Sequence, residues 1–130
     1  MSEYTKHLTP RPELRERIIE TAVKAFAAQG IKSITMDDVA TSLGISKRTL
    51  YEVFPDKETL LEECILRGQK EGDEYLKNVL ATSENVLEVL LKCYQRSIEK
   101  FHATNKKFFE DIKKYPKAYK LMTKRHAQDS

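Results

Sequence analysis

The 130-residue sequence predicts an all-α fold, and three observations carry that expectation. Glycine and proline are scarce, with four of each, so long segments run without a helix breaker. Apolar residues recur at intervals of three and four rather than two, the period of a helix and not of a strand. β-Branched alternation is nearly absent. With 40% hydrophobic and 33% charged residues, the chain suits one compact domain, or a small module joined to a helical body.

Each element has its own local signals. Residues 1–11 are polar and aperiodic, which predicts a mobile tail. Pro12 suits a first helical turn, and Leu14, Ile18, Ile19, Ala22, Val23 and Phe26 follow at helical spacing as far as Gln29, where Gly30 ends the helix in a left-handed cap. Thr35 is placed to cap a short second helix with Val39, Ala40 and Leu43 inward, ended by Gly44. Ser46 caps a third helix with Leu50, Val53 and Phe54 inward, and Pro55 stops it. Asp56 caps a fourth, running from Lys57 to about Leu80. Gly68 and Gly72 share one face of it, which predicts either the close approach of another helix or a bend. Ser83 is expected to cap a fifth helix, whose stripe is Val86, Leu87, Leu90, Leu91, Tyr94, Ile98 and Phe101. Asn105 caps a sixth with Phe108, Phe109 and Ile112, stopped by Tyr115-Pro116. The last basic segment keeps only Tyr119, Leu121 and Met122 as apolar anchors and is expected to fray.

Several function classes receive no support. No apolar run approaches the ~20 residues needed to span a bilayer, and MSEYTKHLTPRPE lacks the apolar core of a secretory signal. A cytoplasmic protein with no membrane partner is expected. Cys64 and Cys93 stand 29 positions apart inside apolar helical patterns, and read as buried reduced thiols rather than a metal site. His7, His102 and His126 are isolated, and no glycine-rich phosphate loop or nucleophile with a partner is present. No enzyme, cofactor or metal is expected.

The net charge of +3 is unevenly placed: residues 1–60 are neutral, while residues 105–126 hold 8 basic and 2 acidic side chains. That basic segment lies far along the chain from the third helix and reads as a solvated face. Any case for nucleic acid therefore rests on the placement of charges rather than on their total.

That placement is found in TMDDVATSLGISKRTLYEVF. Two helices joined by LGIS must cross steeply; Ala40 leaves room at the crossing, Gly44 permits positive φ, and Leu50 faces inward. A small residue, a glycine turn and a buried aliphatic at these offsets make a helix-turn-helix. Once its packing residues are set aside, the third helix presents Ser46, Lys47, Arg48, Thr49, Tyr51 and Glu52 outward. Its length of about 12 Å matches the width of the DNA major groove. Lys57, in the first turn of the next helix, stands beside backbone N–H groups suited to a phosphate.

Residues 12–61, from AFAAQGIKSITMDDVA to TLYEVFPDKETLL, resemble the DNA-binding domain of the TetR-like transcriptional regulators. The resemblance implies a homodimer on a palindromic double-stranded DNA operator, released by a small hydrophobic or aromatic effector bound in the C-terminal helical region. It implies a DNA-binding domain at 12–55 and a ligand-binding and dimerisation region at 56–130. By position, Thr35, Tyr51 and Lys57 match phosphate-contacting residues, and Lys47, Arg48 and Thr49 match residues that read or flank bases. Ser46 caps the reading helix or reaches a phosphate. Tyr75, Tyr94, Phe101 and Phe108, with Phe109, are candidate lining of an effector pocket, against the competing reading of ordinary core packing.

Two departures stand out. Glu52 and Val53 replace the Tyr or His common there; Glu52 could accept from a cytosine amino group or serve as an exposed helix charge. The chain is also short for the family, so it is expected either to be C-terminally shortened or to dimerise through another surface, with apolar faces of helices five and six uncovered. An alternative reading follows: a helical interaction module that sequesters a partner regulator without binding DNA.

Overall fold

The computed structural model describes residues 10–129, with the side chains of 12–124. The expected tail at residues 1–9 lies outside the described residues. Seven helices are present, and no strand occurs among the described residues: α1 (Pro10–Gln29), α2 (Met36–Leu43), α3 (Lys47–Val53), α4 (Lys57–Thr82), α5 (Val86–Ala103), α6 (Lys106–Asp111) and α7 (Pro116–Asp129), with a 3₁₀ turn at Ile112–Lys114 between the last two.

The head is α1–α3, closed by the start of α4. Gly30 ends α1 at φ 86° and donates to Phe26 O (2.8 Å). Thr35 and Asp38 form a reciprocal capping box at α2: Thr35 N–H donates to Asp38 Oδ2 (2.8 Å), and Asp38 N–H to Thr35 Oγ1 (3.1 Å). Gly44 takes φ 70° at the turn, and Ile45 N–H returns to Ala40 O (3.1 Å). Both positive φ values in the described chain thus fall on glycine, where no Cβ opposes them. Beneath these turns Ile18, Phe26, Leu50, Phe54, Leu60 and Leu61 are fully buried. Val53 packs at the edge of this core, whereas Val23, at the margin of the α1 stripe, is 37% exposed.

α4 is the spine. Arg15 donates to Glu63 (2.6 Å) and lies over the Phe54 ring (5.3 Å), and Arg67 pairs with Glu16, so α1 and α4 are tied along one side. The far half of α4 carries α5, and α7 packs back against α4. Ile112 and Ala118 are fully buried in the same core as Ile18 and Leu60, so the apolar interior runs without a break from the head into α7.

Several expectations are corrected. α1 begins at Pro10 rather than Pro12, and α4 continues to Thr82. α5 is capped by Asn85, whose Oδ1 accepts from Glu88 N–H (2.9 Å), while Ser83 N–H closes α4 on Val79 O. α4 is continuous through Gly68 and Gly72, and no helix comes close: a Cβ at Gly68 would meet nothing within 4 Å, and at Gly72 only Arg96 Nη1 at 3.8 Å. The terminal segment forms α7 rather than fraying. Ala118, too small to register as an anchor in the sequence, is its fully buried contact, and Gln69 Nε2 donates to Leu121 O (2.9 Å). Of the two cysteines, Cys64 is buried and Cys93 half-buried; burial pushes the Cys64 thiol up to about 12, which makes it inert.

Candidate nucleic-acid interface

α3 is a short rod laid across the head. Leu50 (fully buried) and Phe54 hold its inner side, and its outer side is polar. Ser46 caps it, accepting from Thr49 N–H (3.0 Å), and the two hydroxyls share a hydrogen bond of 2.8 Å. Both hydroxyls are thereby fixed at the entry end of the helix, each with capacity left for a phosphate or base edge.

Lys47 and Arg48 project from that same end. Lys47 Nζ lies 3.2 Å from Asp37 on α2, and Arg48 Nε lies 3.7 Å from Glu52 Oε2 one turn on. The Arg48 side chain is 90% exposed, so this loose surface pair holds it only weakly. Glu52, puzzling in the sequence, thus faces Arg48 on its own helix. Tyr51 is 40% exposed, and Thr49 is half-buried.

Thr35 and Lys57 flank the rod. The Thr35 hydroxyl accepts from Asp38 N–H as a cap and retains a proton to donate outward. Accepting the Thr35 N–H holds the Asp38 carboxyl below the usual carboxylate range. Lys57 is less free than the sequence suggests: its ammonium lies 5.8 Å from the centre of the Tyr115 ring. Desolvation lowers its pKa, opposed by the charges of Asp111 and Asp38. Asp56 caps α4 by accepting from Thr59 N–H (2.7 Å), which occupies part of the helix end expected to receive a phosphate.

Residues 18–64 match the sequence profile of the family described as bacterial regulatory proteins, tetR family. Over that segment the chain is TetR-like. It is 31% identical over 72 residues to the biofilm operon icaADBC HTH-type negative transcriptional regulator IcaR of Staphylococcus aureus (strain Newman), covering 55% of this chain and 37% of that protein. It is 33% identical over 101 residues to the HTH-type transcriptional regulator YhgD of Bacillus subtilis (strain 168), covering 75% and 52%. The chain therefore spans between about a third and a half of these relatives. A solved TetR-family regulator from Pectobacterium atrosepticum superposes with a TM-score of 0.58 at 27% identity, over 70% of this chain and 47% of that one. One from Mesorhizobium loti shares the fold, with a TM-score of 0.66 at 23% identity over 85% and 59%. These relatives are regulators rather than enzymes by name. Among the described residues no helix is long and apolar enough to cross a membrane, and no cluster of His, Cys, Asp or Glu is placed to hold a metal.

The candidate effector-pocket residues are split, with Phe101, Phe108 and Phe109 in one ring cluster and Tyr75 and Tyr94 apart from it. Tyr75 lines an open cleft with Gln95, Arg96, Glu99, Lys100 and Ala103; it lies 5.0 Å beneath the Arg96 guanidinium and donates to Lys92 O (3.3 Å). Tyr94 (67% exposed) does not line that cleft. Phe101 stacks on Phe109 (5.4 Å), which meets Phe108 edge-on (5.6 Å), and Phe108 packs against the main core.

The sequence reading missed Asp111. Its Oδ2 accepts both Ile31 N–H (3.0 Å) and Lys32 N–H (2.9 Å), in the turn between α1 and α2. Asn105, recognised as the cap of α6, also clasps the end of α1, its N–H donating to Ala27 O (2.7 Å) and its Nδ2 to Ala28 O (3.1 Å). These bonds bridge 77 to 80 positions, and local patterning carries no signal for them.

Proposed function

We propose that this chain is a DNA-binding transcriptional regulator, acting as a cytoplasmic repressor that binds a palindromic double-stranded operator as a homodimer, with residues 12–55 as its reading unit. The observation that carries the reading is α3. Its inner residues Leu50 and Phe54 are locked into the core, while Lys47, Arg48 and Tyr51 are exposed and Thr49 is half-buried around the rest of the helix. In this reading Arg48 and Lys47 exchange their intramolecular carboxylates for base edges and phosphates, Thr35, Ser46 and Tyr51 donate to the backbone, and Lys57 adds charge from beside Tyr115. A single head makes few phosphate contacts, so two half-sites are needed for useful affinity. The description of IcaR as a negative regulator favours repression over activation. Effector release is assigned to the α4–α5 region, where Tyr75 lines an open cleft.

The test is selection of bound sequences from a random duplex library, followed by titration against salt. Tyr51→Phe with Lys57→Ala should weaken binding to all sequences and shallow the salt slope; an unchanged slope rejects phosphate contact. Arg48→Ala should relax preference at one position in each half-site. The sequestration reading draws on the uncovered apolar side of α5, and absence of any selected sequence would favour it.

A further inference from the structure

We propose that the turn from α6 into α7 is a second DNA-contacting surface, a basic shoulder on which Lys113, Lys114 and Lys117 meet the phosphates beside the half-site read by α3. All three lie outside the reading unit at 12–55, so the footprint extends beyond the helix-turn-helix. In the sequence this segment is remote from α3, but in the structure it is packed onto the head. Ile112 and Ala118, which bracket it, are fully buried in the core that also holds Leu50 and Leu60. The centre of the Tyr115 ring lies 5.8 Å from the Lys57 ammonium. Asp111 accepts the Ile31 and Lys32 amides, just ahead of the Thr35 cap. The Asp56 carboxyl, held low chiefly by the Thr59 N–H, is lowered further by the charge of Lys117, which sets that ammonium near the start of α4. The shoulder is thus continuous with Lys57, the residue that the reading above sets beside the DNA backbone.

Charge decides the occupant. The head has none to spare: residues 1–60 are neutral, and Lys47 and Arg48 each face a carboxylate. Residues 105–126 hold 8 basic and 2 acidic side chains, and one of those acids, Asp111, is committed to two backbone amides. Lys113, Lys114 and Lys117 are exposed, and none forms an ion pair among the described residues. Like charges gathered on one surface repel one another and gain from a polyanion laid across them. A duplex carries one phosphate charge per about 1.7 Å of its axis, and flexible lysine stems meet such charges without a fixed geometry. Contacts of this kind add affinity and leave sequence preference to α3.

The proposal rests on the DNA-binding reading above and goes beyond it, and the experiment separates the two. Binding of the full chain to a random-sequence duplex is titrated against salt for wild type, for Lys113→Gln/Lys114→Gln/Lys117→Gln and for Lys70→Gln/Lys77→Gln/Lys92→Gln. The second set removes the same charge from the second half of α4 and from α5. The shoulder variant should bind roughly tenfold more weakly at about 0.1 M salt, with a slope shallower by about 2 to 3, since each lost phosphate contact removes about 0.9. The distal variant should keep the wild-type slope, and all three proteins should select the same sequences from a random library. Arginine at the three shoulder positions should restore the wild-type slope, with helical circular dichroism unchanged throughout. A wild-type slope in the glutamine shoulder variant overturns the proposal, as does an equal loss in the distal variant, which would reduce the effect to net charge. A wild-type chain that binds no duplex rejects the DNA-binding reading and the shoulder together. Binding that is indifferent to the shoulder substitutions rejects the shoulder alone.

Discussion

The two flanks of α4 are opposites. On one, α6 and α7 fold back onto the head: Ile112 and Ala118 are fully buried, Asp111 caps two amides of the α1–α2 turn, and Asn105 clasps the end of α1. On the other, α5 leaves Leu87, Leu91, Tyr94, Ile98 and Phe101 in solvent and has no fully buried side chain of its own. The helix with the longer apolar stripe is thus the one left less covered. Hydrophobicity makes a face that must be covered eventually, but complementary polar contacts decide whether the covering comes from the same chain. The α6–α7 flank has such contacts with the head at each end; α5 is tied to α4 through Tyr75, which donates to Lys92 O and lies under Arg96.

Breaking the closed flank should cost most. Ile112→Ala removes a side chain that is 1% exposed and leaves a cavity between body and head, a loss of about 3 kcal/mol. Thermal or urea unfolding measures it, and a loss below about 1 kcal/mol would mean the seam between body and head is loose. Gly30→Ala should follow, at about 2 kcal/mol. The new Cβ would be held at φ 86° and would stand 2.8 Å from the Lys107 Cβ, so backbone strain and a clash with α6 act together. Asp111→Ala should cost about 1.5 kcal/mol by stranding the Ile31 and Lys32 amides. Hydrogen exchange at those two amides should accelerate more than in the rest of the head; uniform acceleration would instead signal global destabilisation.

A smaller effect tests the head alone. The Asp38 carboxyl is held low by the Thr35 N–H and the Asp56 carboxyl by the Thr59 N–H, so each favours the folded state in its ionised form. A lowered folded pKa means that this stabilisation is complete above the ordinary carboxylate range and is lost as pH falls through the lowered values. Stability should therefore decline at acid pH, and Asp38→Asn should flatten part of that decline in unfolding measured from pH 6 to pH 2. An unaltered acid limb would show that the capping box does not hold α2.

The head was the more legible half for a physical reason. Its caps, glycine turns and inward residues act over three or four positions, so Thr35, Gly44, Ser46, Leu50 and Asp56 each announce a role that the structure keeps. The contacts of Asp111 and Asn105 join segments nearly eighty positions apart and leave no local trace. Ala118 was missed because a methyl group carries little pattern, although it is fully buried in the core that α7 joins. For α5 the stripe was legible but its fate was not: periodicity shows that a face is apolar and is silent on what covers it.

The smallest predicted effect is the most discriminating for that face. At concentrations where the chain is monomeric, Leu91→Ser should change unfolding stability by less than about 0.5 kcal/mol, because a side chain already 56% exposed leaves little burial to lose. If the homodimer closes over this face, the same substitution should become destabilising as concentration rises, since a partner bound only to the folded state adds stability by mass action. The wild-type midpoint should climb with concentration, and that of Leu91→Ser should climb less. Ile112→Ala should show the reverse pattern, a large loss that is the same at every concentration. A Leu91→Ser loss that is large and independent of concentration would place Leu91 inside the monomer's own core, and the two flanks of α4 would then differ in degree rather than in kind.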